Sequence, residues 1–278
     1  MSIVDILIAT RNDNDQALRK TLNSIQRSSF LNMRVLLVND SDHPINKNAL
    51  SSGNIPIKIV ENLTCKGLTA SLIMAVNESN ADYYARADIG DELSSNRIEE
   101  QVLFMEKNSE CVVVGCATQL FVMFKSMPES IGVTFSSLIS DDIKQLLLKG
   151  NPFVHGSILM RADAYNEVGG YDQKVLIAQD INLYLKMSKL GDFAILNNVL
   201  HKHTFYINTS TTFLKNKTSI YSALKSRVKY LTLNKKTSIS FIIGITRDIL
   251  LLSLPMRLLI WIRIFFIKRR RYESAKQS

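Results

Sequence analysis

The sequence predicts an α/β fold: a mostly parallel sheet with helices on both faces, continued by a helical C-terminal tail. Three observations predict it. Over the first 115 residues, short β-branched apolar runs alternate with segments of helical periodicity. The chain has 278 residues, 46% apolar and 21% charged, enough to bury a full core and too apolar to be disordered. Finally, charge is unevenly placed. From Lys215 onward 15 basic residues face 2 acids, a net of +13, while the first 214 residues carry 19 basic and 23 acidic, a net of −4. The overall +9 therefore describes a mildly acidic body with a basic tail.

The elements follow in order. "IVDILIA" (3–9) is a buried first strand, too short and too poor in basic residues upstream for a signal peptide. A helix from Gln16 to Ser28 sets Leu18, Leu22 and Ile25 on one face. "MRVLLVN" (33–39) and "IPIKIV" (55–60) are the second and third strands. A helix follows Gly67, then the strand "DYYARA", an acidic turn, a helix near 95–108, and the strand "CVVVG" (111–115). In parallel sheets of this kind, ligands sit beyond the carboxyl ends of the strands, where Thr10, Arg11, Asp40 and Asp88 all fall. Residues 116–208 are less regular, with helical pieces at 141–149 and 178–190, the glycine-rich "EVGGYDQ", and a strand at "FAILNNVL". We divide the chain into a first half (1–115), a second half of the same domain (116–208) and a tail (209–278).

Several function classes are excluded. No GxGxxG follows the first strand and no GxxxxGK[ST] occurs, so neither a dinucleotide fingerprint nor a P-loop is present. Cys65, Cys111 and Cys116 are scattered and odd in number, which reads as reduced thiols of a cytosolic protein. A nucleic-acid-binding face is disfavoured because the basic residues sit in the tail and the body is net acidic.

"YYARADIGDELSSNRIEEQ" (83–101) crowds Asp88, Asp91 and Glu92 around a glycine. Such acids repel unless water screens them or a cation lies between them. A solvated turn capping the next helix accounts for them on their own; a Mg²⁺ or Mn²⁺ ion held by carboxylates and substrate phosphates is the functional reading.

The order of segments "ATRND", "LLVND", "CKGLTASL", "YYARADIGDE", "GGYD" and "AQDINLYLKM" resembles that of the family 2 glycosyltransferases, inverting sugar-nucleotide-dependent enzymes of the Rossmann-like GT-A fold. The resemblance covers residues 3 to 205. It implies that Thr10 and Arg11 pack on a uridine, that Asp40 accepts a hydrogen bond from the base, and that Lys66 and Gly67 face the nucleotide. It further implies that Arg86 and Asp88 open a metal motif with Asp91 as second ligand, and that Asp180 is the general base on the acceptor hydroxyl. "VGGYD" would form the acceptor-side loop, with Gly170, Tyr171 and Asp172, and His155 stands where relatives carry a pocket histidine. His201 and His203 lie in a region that completes the metal site in some relatives. The departure is Gly90, where the family's Asp-x-Asp-Asp turn has its second acid. Three arrangements stay open: Asp91 turns inward, a water replaces the missing carboxylate, or metal binding is weakened.

The implied activity is transfer of a hexose from a UDP-sugar to a glycan acceptor, lipid-diphosphate-linked, in O-antigen, capsule or lipooligosaccharide assembly, with Mn²⁺ or Mg²⁺ as cofactor. The rival is a non-catalytic sugar-nucleotide-binding scaffold of the same fold. The apolar tail from Ile239 to Ile267 is broken by Arg247, Asp248, Arg257 and Arg263, which argues against a spanning helix. Trp261 and the Lys268–Arg271 cluster suit a helix lying on an anionic membrane surface. The expected location is cytoplasmic, peripheral on the inner face of the plasma membrane.

Overall fold

The computed structural model describes residues 2–255 and 258, apart from 12–13, 47, 49, 51, 63–66, 125–126, 135–137, 140, 207–210 and 235–238. Cys65, Lys66, Trp261 and the Lys268–Arg271 cluster lie outside the described residues.

Four parallel strands make the first part of the sheet: β1 (Val4–Thr10), β2 (Met33–Asn39), β3 (Ile57–Glu61) and β4 (Tyr83–Arg86), in the spatial order β3-β2-β1-β4. Helices α1 (Asp15–Gln26) and α2 (Leu68–Asn77) connect them, and the short β5 (Glu92–Leu93) and α3 (Arg97–Lys107) follow β4. Side chains alternate across the strands, so each strand feeds two cores. Val4, Ile6, Ile8, Val35 and Leu37 meet α1 and α3 on one face. Leu7, Leu36, Val38 and Tyr84 meet α2 and later helices on the other. A sheet buried on both faces needs continuous apolar runs, which is why these strands stand out in the sequence.

The second half joins the same sheet. Strand β6 (Cys111–Phe124) runs through the 115/116 boundary and pairs in parallel with β10 (Asp192–Tyr206). Between them in sequence come β7 (Met127–Val133), β8 (Leu138–Ile139), α4 (Asp141–Lys149), β9 (Leu159–Arg161), α5 (Ala162–Glu167) and α6 (Gln179–Met187). The three-residue β9 is antiparallel to both β4 and β6 and closes the gap between the two halves. The 3-10 turn at His155–Ser157 leads straight into it.

The tail docks on the body through its first two helices, α7 (Thr211–Asn234) and α8 (Ile239–Ser253), which pack against α6 and α4. Arg227 and Asp248, both 1% exposed, form a buried ion pair between the two helices, and Arg227 Nε donates to Leu147 O at 3.2 Å. So Asp248, which breaks the apolar run in the sequence, is paired inside the protein. Gly244 lets α8 approach α4: a Cβ there would stand 2.0 Å from Leu148 O. Gly244→Ala is expected to lower stability by about 1–3 kcal/mol through this backbone clash. Urea unfolding checks it, and a midpoint at or above the native one would show that the helices are not seated this closely. Among the described residues no helix is long and apolar enough to cross a membrane.

Candidate active site

The carboxyl ends of β1, β2 and β4 lie side by side, and each delivers one polar side chain. Thr10 ends β1 and is buried, and Arg11 beside it is exposed, with Nε 3.9 Å from Asp40 Oδ2. Asp40 follows β2 and is 3% exposed. Its two oxygens are engaged: Oδ1 accepts from Asn62 Nδ2 at 2.8 Å, and Oδ2 accepts from the Gly67 N–H at 2.7 Å. Gly67 has φ +123°, which favours glycine at the head of α2. Asp40 thus fixes the turn that the sequence placed against a nucleotide.

Arg86, fully buried at the end of β4, donates to Leu7 O, to Ala87 O at 3.0 Å and to Asp88 Oδ1. That pins one oxygen of Asp88 and leaves the other. Three residues on, Asp91 is 1% exposed and held by two histidines from β10. His203 Nδ1 lies 2.8 Å from Asp91 Oδ1. His201 Nε2 lies 3.1 Å from Asp91 Oδ2, but off the hydrogen-bond line, and it has no other partner. Its Nδ1 is set by Thr118 Oγ1 at 3.3 Å. The free atoms converge: a Cβ on Gly156 would meet Asp91 Oδ2 at 3.0 Å, Asp88 Oδ2 at 3.2 Å and His201 Nε2 at 3.3 Å. Only a residue without a side chain leaves that cradle open.

The electrostatics match the geometry. Burial acts to raise the Asp91 pKa, but the two imidazoles facing its oxygens outweigh it and hold the carboxyl at about 2. Burial lowers His201, keeping the neutral imidazole that a metal ligand requires. For His203 burial also acts to lower, yet the bond to Asp91 and its charge win and raise it. Gly90 sits at φ +94°, its N–H donating to Thr21 Oγ1 at 2.9 Å and its carbonyl accepting from Lys20 Nζ at 3.1 Å. The glycine therefore allows the turn that swings Asp91 inward toward β10.

Asp180 stands in the first turn of α6, after Ala178 in the left-handed region (φ 56°). Its Oδ2 accepts from Asn151 Nδ2 at 2.6 Å. The half-buried ring of His155 meets the buried rings of Tyr171 and Tyr184 edge-on, a floor of three rings that the charges of both Asp180 and Asp88 reach. His155 Nε2 pairs with Tyr171 OH at 2.8 Å, and burial together with the Arg86 charge pushes the imidazole down to about 4. Tyr171 is 4% exposed and meets Tyr165 edge-on, so its ring is packed inward. Gly170 carries its carbonyl to Lys186 Nζ and has φ 56°, and Asp172 caps the loop through the Lys174 N–H at 3.0 Å.

Residues 5–169 match the Glycosyl transferase family 2 domain, more than half of the chain. The chain belongs to glycosyl transferase family 2. Two curated members are similar to it: EpsE of Bacillus subtilis (strain 168), named as a glycosyltransferase, at 32% identity over 185 residues, and an uncharacterized glycosyltransferase of Haemophilus influenzae at 23% over 218 residues. These matches cover 64% and 75% of this chain, and 64% and 67% of those proteins. The match thus spans just under two thirds of EpsE. Among solved structures, residues 1–349 of TarS from S. aureus superpose with a TM-score of 0.60 at 12% identity, over 81% of this chain and 65% of that one. The same TarS fragment in complex with UDP gives 0.58 at 13% identity and the same coverage. The GT-A fold expected from the sequence is therefore present in this family 2 glycosyltransferase member.

Sequence reading passed over three residues of this family 2 member's site. Gly156, Asn62 and Arg97 carry no motif that singles them out in the sequence. Arg97 is in fact fully buried and donates to Gly156 O at 2.8 Å, Arg86 O at 3.0 Å and Ile158 O at 3.1 Å.

Proposed function

We propose that the chain transfers a hexose from a UDP-sugar to a glycan acceptor with inversion, using a divalent cation. The observation that carries this reading is the convergence of Asp88 Oδ2, Asp91 Oδ2 and His201 Nε2 on the position that a Cβ of Gly156 would take. Two carboxylates and a neutral imidazole suit Mn²⁺ or Mg²⁺, and they answer the question raised by Gly90: the second ligand comes from Asp91, with His201 in addition. Among the described residues no group of three His, Cys, Asp or Glu side chains stands at metal-holding spacing. Substrate phosphates would supply the remaining oxygens, as is usual for these ions. A bound cation would offset the charge that builds on the departing diphosphate.

The chain's own residues do the rest. Thr10, Arg11, Asp40 and Gly67 form the wall for the nucleoside, with Asp40 already fixing the Gly67 turn. Asp180 accepts the proton of the acceptor hydroxyl as that oxygen attacks the sugar, so no covalent intermediate is needed. That a related structure, TarS, is known in complex with UDP supports the choice of donor. Association with the inner face of the plasma membrane is supported by α8, which buries Phe241 and Asp248 but leaves Ile239, Ile242, Ile249 and Leu250 more than half exposed. Such a face next to basic residues suits a membrane-borne, lipid-linked acceptor of surface-polysaccharide assembly. Gly90 is the feature that favours a non-catalytic sugar-nucleotide-binding scaffold instead.

Release of UDP from a panel of UDP-sugars, with Mn²⁺ and a lipid-linked glycan acceptor, tests the reading, with the product's anomeric configuration read by NMR. Turnover with inversion supports it; UDP binding without turnover on any acceptor leaves the scaffold. Within the enzyme reading, Gly156→Ala fills the cradle and is expected to weaken Mn²⁺-dependent UDP binding about tenfold or more. Titration calorimetry checks it, and native affinity would place the cation elsewhere.

A further inference from the structure

A cavity of about 410 Å³ opens between the loop 172–177 and one face of α7. Its basic side chains are Lys174, Lys225 and Lys229, and its polar ones include Asn182, Tyr221 and Ser222. The loop is held rigidly at both ends. Thr69 Oγ1 donates to Val175 O at 2.8 Å, and Ser222 Oγ donates to Ile177 O at 2.6 Å. Asp172, the one acid in the lining, is turned to the loop: Oδ1 accepts from the Lys174 N–H at 3.0 Å, and Oδ2 lies 3.9 Å from Lys229 Nζ. Among the described residues neither Lys174 nor Lys225 has a carboxylate within ion-pair distance. The pocket is therefore net positive, with Lys174 from the body and Lys225 and Lys229 from the first helix of the basic tail.

Asn182 adds the second, independent sign. It projects from α6 two residues past Asp180, is 7% exposed, and its Oδ1 has no hydrogen-bond partner. Its amide nitrogen has only a long contact, 3.4 Å to Ser226 Oγ. A buried amide oxygen left without a donor is costly, on the order of 1–3 kcal/mol, unless a ligand supplies one. A sugar hydroxyl is such a donor, and the lysines above it call for an anion on the same molecule.

We propose that this pocket binds a phosphorylated sugar, the phosphate against Lys174 and Lys225 and a hydroxyl on Asn182, as the anionic part of the acceptor. Its assignment to the acceptor rests on the glycosyltransferase reading above; its ligand chemistry does not. Two sources share that chemistry, a soluble sugar phosphate and the diphosphate-linked sugar head of a lipid.

Binding is read directly, without turnover, by calorimetry on the full chain. The probes are a hexose 1-phosphate, a polyprenyl-diphosphate-linked hexose in detergent micelles, inorganic phosphate, and a neutral methyl hexoside. The native protein is expected to bind at least one of the two phosphorylated sugars at least tenfold more tightly than the methyl hexoside. If both bind, the head group alone is recognised; if only the prenyl form binds, the lipid source is selected. The Lys174→Ala/Lys225→Ala variant, altered only at exposed side chains, should weaken that binding at least tenfold. Its UDP affinity should stay native, which separates this pocket from the donor site. Asn182→Leu should bring hexose 1-phosphate, or its prenyl form, down to the affinity of inorganic phosphate. Failure of the native protein to bind either phosphorylated sugar, or native affinity in the double-lysine variant, overturns the proposal whether or not transfer is ever seen.

Discussion

Asp180→Asn is expected to lower kcat by about 10²- to 10⁴-fold, the range that a positioned general base contributes, while UDP affinity stays native. The substitution is nearly isosteric, so the oxygen that accepts from Asn151 Nδ2 at 2.6 Å can be kept. What is lost is the ability to take a proton from the attacking hydroxyl. Asp180 shares no hydrogen bond with the Asp40 and Gly67 turn, so the substitution leaves that turn's bonds in place. Initial rates of UDP release, paired with calorimetry of UDP, read the two halves of the prediction separately. A variant with a near-native rate would move the base to another group facing the same floor.

Arg97→Met is expected to be the most destabilising single substitution at the site, by about 3–5 kcal/mol, the cost of deleting one partner from a buried, charged network. Arg97 is fully buried, and burial lowers its pKa, so its charge is tolerated because its surroundings accept four hydrogen bonds from its guanidinium. Its guanidinium joins three segments: Arg86 O at the end of β4, Gly156 O in the turn that forms the cradle, and Ile158 O before β9, while Nε donates to Gln101 Oε1 at 3.1 Å. Methionine fills much of the volume but removes the donor that Arg97 supplies to Arg86 O and Gly156 O, while Ile158 O keeps the Arg86 N–H at 3.0 Å. Urea unfolding measures the loss. Stability within about 1 kcal/mol of native would mean that the carbonyls find other donors, and that Arg97 does not hold Gly156 in place.

The parts of the fold that could be read from the sequence are those where each residue's burial follows one period. β2 was placed at 33–39 and α4 at 141–149, both as observed, and α1, α3 and β4 differ by at most a few residues at their ends. These elements either run apolar throughout or repeat at helical spacing. β9 has three residues, too few to show any period, and β7 contains Pro128 and Gly132, which read as a turn. β6 extends from 115 to Phe124 past the glycine and the small and polar run 116–119, which pair because β10 runs beside them. Long-range pairing of that kind leaves no local trace. The site shows the same division. Thr10, Asp40 and Asp88 were legible because strand ends are legible, and the resemblance added Asp180. The partnership of Asp91 with His201 and His203 spans more than a hundred residues, so only the folded sheet brings it into view. Gly156 mattered through the space it leaves, which no residue type announces. In the tail, the charges Arg247 and Asp248 read as interruptions of an apolar helix, whereas Asp248 is buried against Arg227 and fixes α8 to α7.

Donor binding in the presence and absence of metal bears most directly on the central claim, that Asp88, Asp91 and His201 together grip a cation joined to a nucleoside diphosphate. UDP affinity of the native chain is measured by calorimetry with Mn²⁺ and again in excess chelator. The account predicts affinity at least tenfold tighter with Mn²⁺, and a gain that disappears in Asp88→Ala. Equal affinity in both conditions, with the native chain and the variant indistinguishable, would contradict it.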